Sequence, residues 1–145
     1  MVLASEILTD WVDVKSMVRT DTAFCSKTRR STLLSVLGSP ECILKGDTSD
    51  RAYDHSLTWM FKRNVRSVGI VAGPKCELAV YMKYVLKYGK RIQSIRFTMC
   101  NTENPTFISL ATLHCPNVTS LEYDGCSLRA LIGDIISHNP KIQLQ

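Results

Sequence analysis

The sequence has no apolar run near the roughly 20 residues that a membrane-spanning helix needs. Its first ten residues also lack the basic start and long apolar core of a signal peptide, and they include Glu6 and Asp10. We therefore expect an intracellular protein, cytoplasmic or nuclear, that does not contact a membrane. A chain of 145 residues, 45% of them hydrophobic, is long enough for one domain with a sizeable core.

Motifs that carry chemistry are also missing. The glycines fit no phosphate-binding loop, the histidines stand at no metal-finger or zinc-protease spacing, and no two cysteines form a CxxC pair. The six cysteines are spread from Cys25 to Cys126, which favours reduced thiols buried as small apolar groups. We interpret His114 and Cys115 as part of a repeat, not as a base and its nucleophile. We predict a protein that is not an enzyme, with no cofactor and no metal site.

Positive charge is concentrated in one part of the chain. The net charge is +5, and most of the excess lies between Lys62 and Arg91. Such charge is usually the solvated face of helices, and we favour this interpretation. The alternative is a nucleic-acid-binding surface, whose affinity would fall steeply with salt. The candidate residues for that surface are Lys62, Arg63, Lys87, Lys90 and Arg91.

What the sequence does contain is an internal repeat. Residues 92–100 (IQSIRFTMC) align without a gap with residues 118–126 (VTSLEYDGC), at an interval of 26 residues. Apolar side chains coincide at the positions of a short strand that would face a core, and at the turn that would follow this strand. The aligned pairs are Ile92 with Val118, Ile95 with Leu121, Phe97 with Tyr123, and Cys100 with Cys126. A helical stretch follows each segment, and Ile142 begins a third unit.

This repeat resembles the cysteine-containing leucine-rich repeat, which carries Cys-Pro before the next strand, as Cys115 and Pro116 do here. The second unit differs in having Asn139 where that cysteine would stand. The resemblance implies an α/β solenoid with parallel strands on one face, helices on the other, and neighbouring units that stabilise one another. Residues 91–145 would be regular units and residues 41–90 irregular ones.

The irregular part repeats the strand spacing in a weaker form. Val65, Val68 and Ile70 stand at the same intervals as the regular strand and begin 27 residues before Ile92. A helix should follow, because residues 77–88 carry apolar side chains on one helical face. That predicted stripe consists of Leu78, Tyr81, Met82 and Val85.

Residues 1–40 are predicted to form short helices that end near Gly38 and Pro40. They resemble an F-box, with matches at Leu3, Glu6, Ile7, Leu8, Asp13, Lys15, Met17, Val18, Arg19, Phe24 and Cys25. The pattern departs at Ala4 and Val14, which replace prolines, and at Thr28, which replaces a tryptophan. The resemblance implies contact with a Skp-type adaptor through Leu3, Ile7, Leu8, Trp11, Met17 and Val18. The alternative is a helical cap that only covers the open end of the repeat stack.

A repeat stack binds through its strands, where the side chains between core positions point outward. The predicted face consists of Ser94, Arg96, Thr98, Ser120, Glu122 and Asp124, with Ser67, Gly69 and Val71 added from the irregular unit. Arg96 would pair with Glu122 across adjacent strands.

The expected function is recognition of a protein partner. With the F-box resemblance, this implies the substrate receptor of a cullin-type ubiquitin ligase. The alternatives are a stand-alone leucine-rich repeat scaffold and the basic nucleic-acid binder. A strand begun at Ile142 with no cap after it also predicts self-association through the last unit, or a longer parent protein.

Overall fold

The structure is a computed structural model, and it describes residues 8–9, 12–24, 26–45, 56–98, 106–124 and 143–144. This part of the chain is α/β, and all of its paired strands run parallel. The predicted α/β class with parallel strands is therefore confirmed. Within the same residues, none of the helices is long and apolar enough to cross a membrane.

Helices and strands alternate along most of the chain. The helices are α1 (Val14–Ala23), α2 (Lys27–Leu37), α3 (Ser56–Arg63), α4 (Leu78–Tyr88) and α5 (Thr106–His114), and a 3-10 turn (Gly89–Arg91) follows α4. The strands are β1 (Ile43–Leu44), β2 (Arg66–Ser67), β3 (Gly69–Ala72), β4 (Ser94–Thr98), β5 (Ser120–Asp124) and β6 (Gln143–Leu144). Leu8 and Thr9 are also helical.

The strands pair in chain order. β1 pairs with β2, while β3, β4, β5 and β6 form a second parallel sheet. Between β4 and β5, Ile95 lies opposite Leu121 and Phe97 lies opposite Tyr123. These pairs are the ones that the sequence repeat aligned, so the 26-residue register between the regular units is confirmed.

The register predicted for the irregular unit is wrong by two residues. The sequence pattern aligned Ile70 with Phe97, but the structure pairs Ile70 with Ile95 and Ala72 with Phe97. Side chains alternate with a period of two along a strand, so a shift of two residues keeps Ile70 facing the core. The shift also moves the first core position of the unit from Val65 to Ser67, and a buried serine gives no apolar signal in the sequence.

One backbone hydrogen bond recurs between successive strands of both sheets. The Val68 N–H donates to the Leu44 carbonyl at 2.8 Å, Gln93 N–H to Val68 at 2.7 Å, and Thr119 N–H to Gln93 at 2.8 Å. These positions advance by 24, 25 and 26 residues, from 44 to 68, 93 and 119. Val68 therefore connects β2 to β3 as one interrupted strand, and successive strands join their neighbours in the same way.

The core lies between the strands and α4. Inward strand residues such as Ile70, Ile95 and Leu121 are at most 2% exposed. On α4 the predicted stripe is confirmed at Tyr81 and Val85, which are fully buried. It is wrong at Met82, which is 38% exposed, and at Leu78, which is half-buried. The stripe that is buried consists of Tyr81, Tyr84, Val85 and Tyr88. Both stripes satisfy helical spacing, and the structure buries the one with the greater aromatic surface.

The two N-terminal helices pack against the same core. Each begins with a side-chain cap: Asp13 accepts from the Ser16 N–H on α1, and Ser26 accepts from the Arg29 N–H on α2. Val14 and Met17 of α1 and Leu37 of α2 are at most 2% exposed and belong to the core cluster that contains the strand residues. The described part of residues 1–40 is thus joined to the rest of the chain by apolar burial.

Buried thiols give a first prediction. Cys42 and Cys115 are buried and Cys76 is half-buried, while Cys25, Cys100 and Cys126 lie outside the described residues. Burial raises the pKa of the Cys42 thiol despite the nearby charge of Arg66, and it raises the pKa of Cys115 to about 12. Because the thiolate is the reactive form, iodoacetamide should alkylate Cys42 and Cys115 at least about tenfold more slowly than Cys76. Peptide mass spectrometry of the native protein measures the rates, with urea-unfolded protein as the control; equal native rates would contradict the prediction.

Candidate protein-binding face

The outer face of β4 and β5 carries the predicted site residues. On β4 the exposure alternates: Ser94, Arg96 and Thr98 are half-buried, while Ile95 and Phe97 between them are 1% exposed. On β5, Ser120 and Glu122 are also half-buried, and Leu121 between them is 2% exposed. The predicted division into inward and outward side chains therefore holds on β4 and at Leu121 of β5. Tyr123, predicted inward, is half-buried and packs against the core cluster, and the side chain of Asp124 lies outside the described residues.

Strand register brings these residues together in pairs. Ser94 lies beside Ser120, Arg96 beside Glu122, and Thr98 beside Asp124. The Arg96 Nε–H donates to Oε2 of Glu122, so the predicted cross-strand ion pair is present. The two side chains are 28% and 31% exposed, which leaves both charges in contact with water. We refer to these six residues as the strand face.

The ion pair should add little to stability. Solvent screens charges at this exposure, so we expect a coupling of about 0.2–1 kcal/mol between Arg96 and Glu122 in a double-mutant cycle. Glu122→Ala alone should leave the free energy of unfolding nearly unchanged. Urea denaturation of the two alanine variants and of the double variant measures the coupling. A value above about 2 kcal/mol would mean that the pair holds the sheet together.

The irregular unit does not extend the strand face as predicted. Ser67, Gly69 and Val71 are all buried. Ser67 occupies a core position in the corrected register, and its hydroxyl lies 3.2 Å from the Leu44 carbonyl and 2.6 Å from the Gly69 carbonyl. Val71 lies opposite Arg96 and is 7% exposed. β3 thus places a buried apolar residue beside the ion pair instead of polar contact groups.

The predicted adaptor contacts fall into three groups. Leu3, Ile7 and Trp11 lie outside the described residues. Leu8 and Val18 are half-buried and pack against the core cluster. Met17 is 2% exposed, so its side chain offers no surface to a partner in this conformation. Met17 faces inward because it follows Val14 by three residues on the buried stripe of α1.

A buried charge cluster was missed by sequence reasoning. Asp21 is 2% exposed, and its carboxylate accepts hydrogen bonds from Arg30 Nε at 2.8 Å, Trp59 Nε1 at 3.0 Å and Arg63 Nε at 3.1 Å. The cluster joins α1, α2 and α3. Burial alone would raise the pKa of Asp21, but the three hydrogen bonds and the charge of Arg63 outweigh it, so the pKa lies below its ordinary value of 3.8. Trp59 is half-buried and uses its indole N–H in this cluster.

The basic residues divide between structural and exposed positions. Arg63 is held by Asp21. Lys87 Nζ donates to Oδ1 of Asn64 at 2.7 Å and lies 5.2 Å from the centroid of the Tyr88 ring. Lys62, Lys90 and Arg91 are exposed. These cations lie on α3, α4 and the 3-10 turn, away from the strand face.

Comparisons with known proteins give no further assignment. No protein-family model, curated protein or solved structure matches the chain. Among the described residues, no group of three or more His, Cys, Asp or Glu side chains could hold a metal ion.

Proposed function

We propose that the chain is a protein-recognition module of the leucine-rich repeat kind, with units stacked as a solenoid and residues 1–40 as its helical cap. The observation that carries the proposal is the pairing of β4 with β5 at the 26-residue register of the sequence repeat. The recurrent bond from positions 44, 68, 93 and 119 supports the same repeat in the irregular units. Repeated units of this kind bury their apolar faces only against neighbours, which leaves an extended outer surface for binding.

The chemistry of the strand face suits a protein partner. Its serine and threonine hydroxyls donate and accept hydrogen bonds, and they stand in rows set by the strand register. The Arg96–Glu122 pair is exposed enough to exchange its partners for groups on another protein. Protein interfaces commonly contain direct hydrogen bonds made by groups of this kind.

Site-specific photo-crosslinking tests this assignment. A photoreactive amino acid at Ser94 or Ser120 should capture a discrete partner in cells, whereas the same probe at exposed Lys62 or Lys83 on the helices should not capture that partner. Arg96→Glu should reduce the yield, because it reverses one charge and places two like charges opposite each other. Capture only from the helical positions would overturn the strand face as the binding site.

A second, narrower hypothesis is the role of ubiquitin-ligase substrate receptor. Two of the predicted adaptor contacts, Leu8 and Val18, are only half-buried and so leave part of their side chains open to an adaptor. The test is binding of the full chain to a purified Skp adaptor. Binding at micromolar concentration that is lost in Val18→Asp supports the receptor role. No binding at that concentration leaves the stand-alone scaffold.

A further inference from the structure

A basic cleft lies at the C-terminal ends of α4 and α5. Its volume is about 480 Å³. The residues that define it here are Leu86, Lys87, Lys90, Arg91, Leu113 and His114. None of them belongs to the strand face, so the basic cleft is a separate surface.

The walls of the basic cleft are fixed by close packing. Gly89 approaches the His114 carbonyl so closely that a Cβ atom would lie 2.3 Å from its oxygen. The Asn117 side-chain amide donates to the Lys90 carbonyl at 2.6 Å, which ties the turn after α5 to the 3-10 turn after α4. The cleft is therefore formed before a ligand arrives, which lowers the entropic cost of binding.

Two leucines at the basic cleft are exposed and lie outside the apolar stripes that their helices bury. Leu86 is 57% exposed and Leu113 is 73% exposed, although each helix buries a separate apolar stripe. Met82 is 38% exposed and precedes Leu86 by four residues, so both lie on one side of α4. Single exposed leucines are common on proteins, but a cluster beside a cleft is typical of a binding surface.

The charge of the basic cleft has one sign. Lys87, Lys90 and Arg91 contribute positive charge, and no aspartate or glutamate occurs among the described residues that line the cleft. Cations near the C-terminal ends of helices also stabilise those helices, but this accounts for neither exposed leucine. A complementary ligand carries negative charge together with apolar groups.

We infer that the basic cleft binds an acidic segment of a protein partner, with leucine-like side chains against Leu86 and Leu113 and carboxylates against Lys90 and Arg91. A nucleic acid fits the observations less well. It would need a longer track of cations and aromatic rings open to stacking, but Tyr88 is only 7% exposed. The leucines would also add nothing to phosphate binding.

Fluorescence anisotropy with the full chain tests this inference. The probe is a labelled peptide of about a dozen residues in which glutamates alternate with leucines. We expect it to bind, and we expect Lys90→Glu with Arg91→Glu, or Leu86→Ser with Leu113→Ser, to weaken binding at least about tenfold. The matched control is Lys62→Glu with Lys83→Glu, which changes the net charge equally at exposed positions outside the cleft and should alter affinity less than about twofold.

Two further probes distinguish an acidic peptide ligand from a nucleic acid and from a membrane surface. The same variants are measured with a single-stranded oligonucleotide and with vesicles of anionic phospholipid. Tighter binding of either one that depends on Lys90 and Arg91 but not on the leucines would overturn the inference, as would failure of the acidic peptide to bind. Arg96→Ala should leave peptide affinity unchanged, so the strand-face proposal and this one fail independently.

Discussion

Replacing Asp21 with alanine is expected to lower the free energy of unfolding by about 2–4 kcal/mol, because it removes the shared acceptor of three donors. The indole N–H of Trp59 would lose its partner, and Arg30 and Arg63 would face each other without the carboxylate between them. Their side chains are 39% and 33% exposed, so water recovers part of the loss and the effect stays below that of a fully buried pair. Urea denaturation followed by circular dichroism measures the change.

Asp13→Ala is the matched control for this substitution. It makes the same chemical change at the N-cap of the same helix, at an exposed residue whose carboxylate accepts from the Ser16 N–H at 2.7 Å. Loss of such a cap costs about 1 kcal/mol. If the two substitutions destabilise the protein equally, the Asp21 cluster does not hold α1 and α2 against α3.

The pH dependence of Asp21 gives a separate test. Its pKa is lowered in the folded protein, so its stabilising contribution is present above the ordinary value of 3.8 and is lost as the pH falls through the lower folded value. Asp21→Asn keeps the shape but cannot ionise. The stability difference between wild type and Asp21→Asn should be constant near neutral pH and should shrink below about pH 4. A difference that is unchanged at about pH 3 would mean that the carboxylate charge contributes nothing.

The regular strands were predictable because two features agreed. The period-two alternation placed Ile95, Phe97 and Leu121 inward, and the gapless repeat set which residues of β4 and β5 are neighbours. The strand face followed from the same two features. The irregular unit lacked the second feature, because no gapless alignment with a regular unit set its register. Its core position at Ser67 is also polar, so the pattern of apolar residues does not mark it.

The Asp21 cluster could not be read from the sequence. Asp21 is separated from Trp59 by 38 residues and from Arg63 by 42, and no periodic pattern relates them. Charged residues are normally exposed, so a single aspartate within a helix predicts solvent contact. Its burial depends on three donors from two other helices, which only the tertiary structure brings together.

Gly89→Ala is expected to destabilise the protein by about 2–3 kcal/mol. The backbone angles at Gly89 are helical and suit alanine, so the cost comes entirely from space. The added Cβ would lie 2.3 Å from the His114 carbonyl oxygen, 3.0 Å from its carbonyl carbon and 3.2 Å from Sγ of Cys115. Two of these atoms belong to the backbone, so relief requires the end of α5 to move away from the 3-10 turn.

Gly38→Ala separates this close contact from the general effect of removing a glycine. Gly38 also follows a helix with right-handed helical angles, but its added Cβ would lie 3.2 Å from the Leu34 carbonyl, a contact that a small shift relieves. We expect a change within about 1 kcal/mol. Gly89→Ala should also weaken binding of the acidic peptide, because it separates Lys90 and Arg91 from Leu113. If the two alanine variants have the same melting temperature, the ends of α4 and α5 are not in close contact, and the basic cleft has no fixed walls.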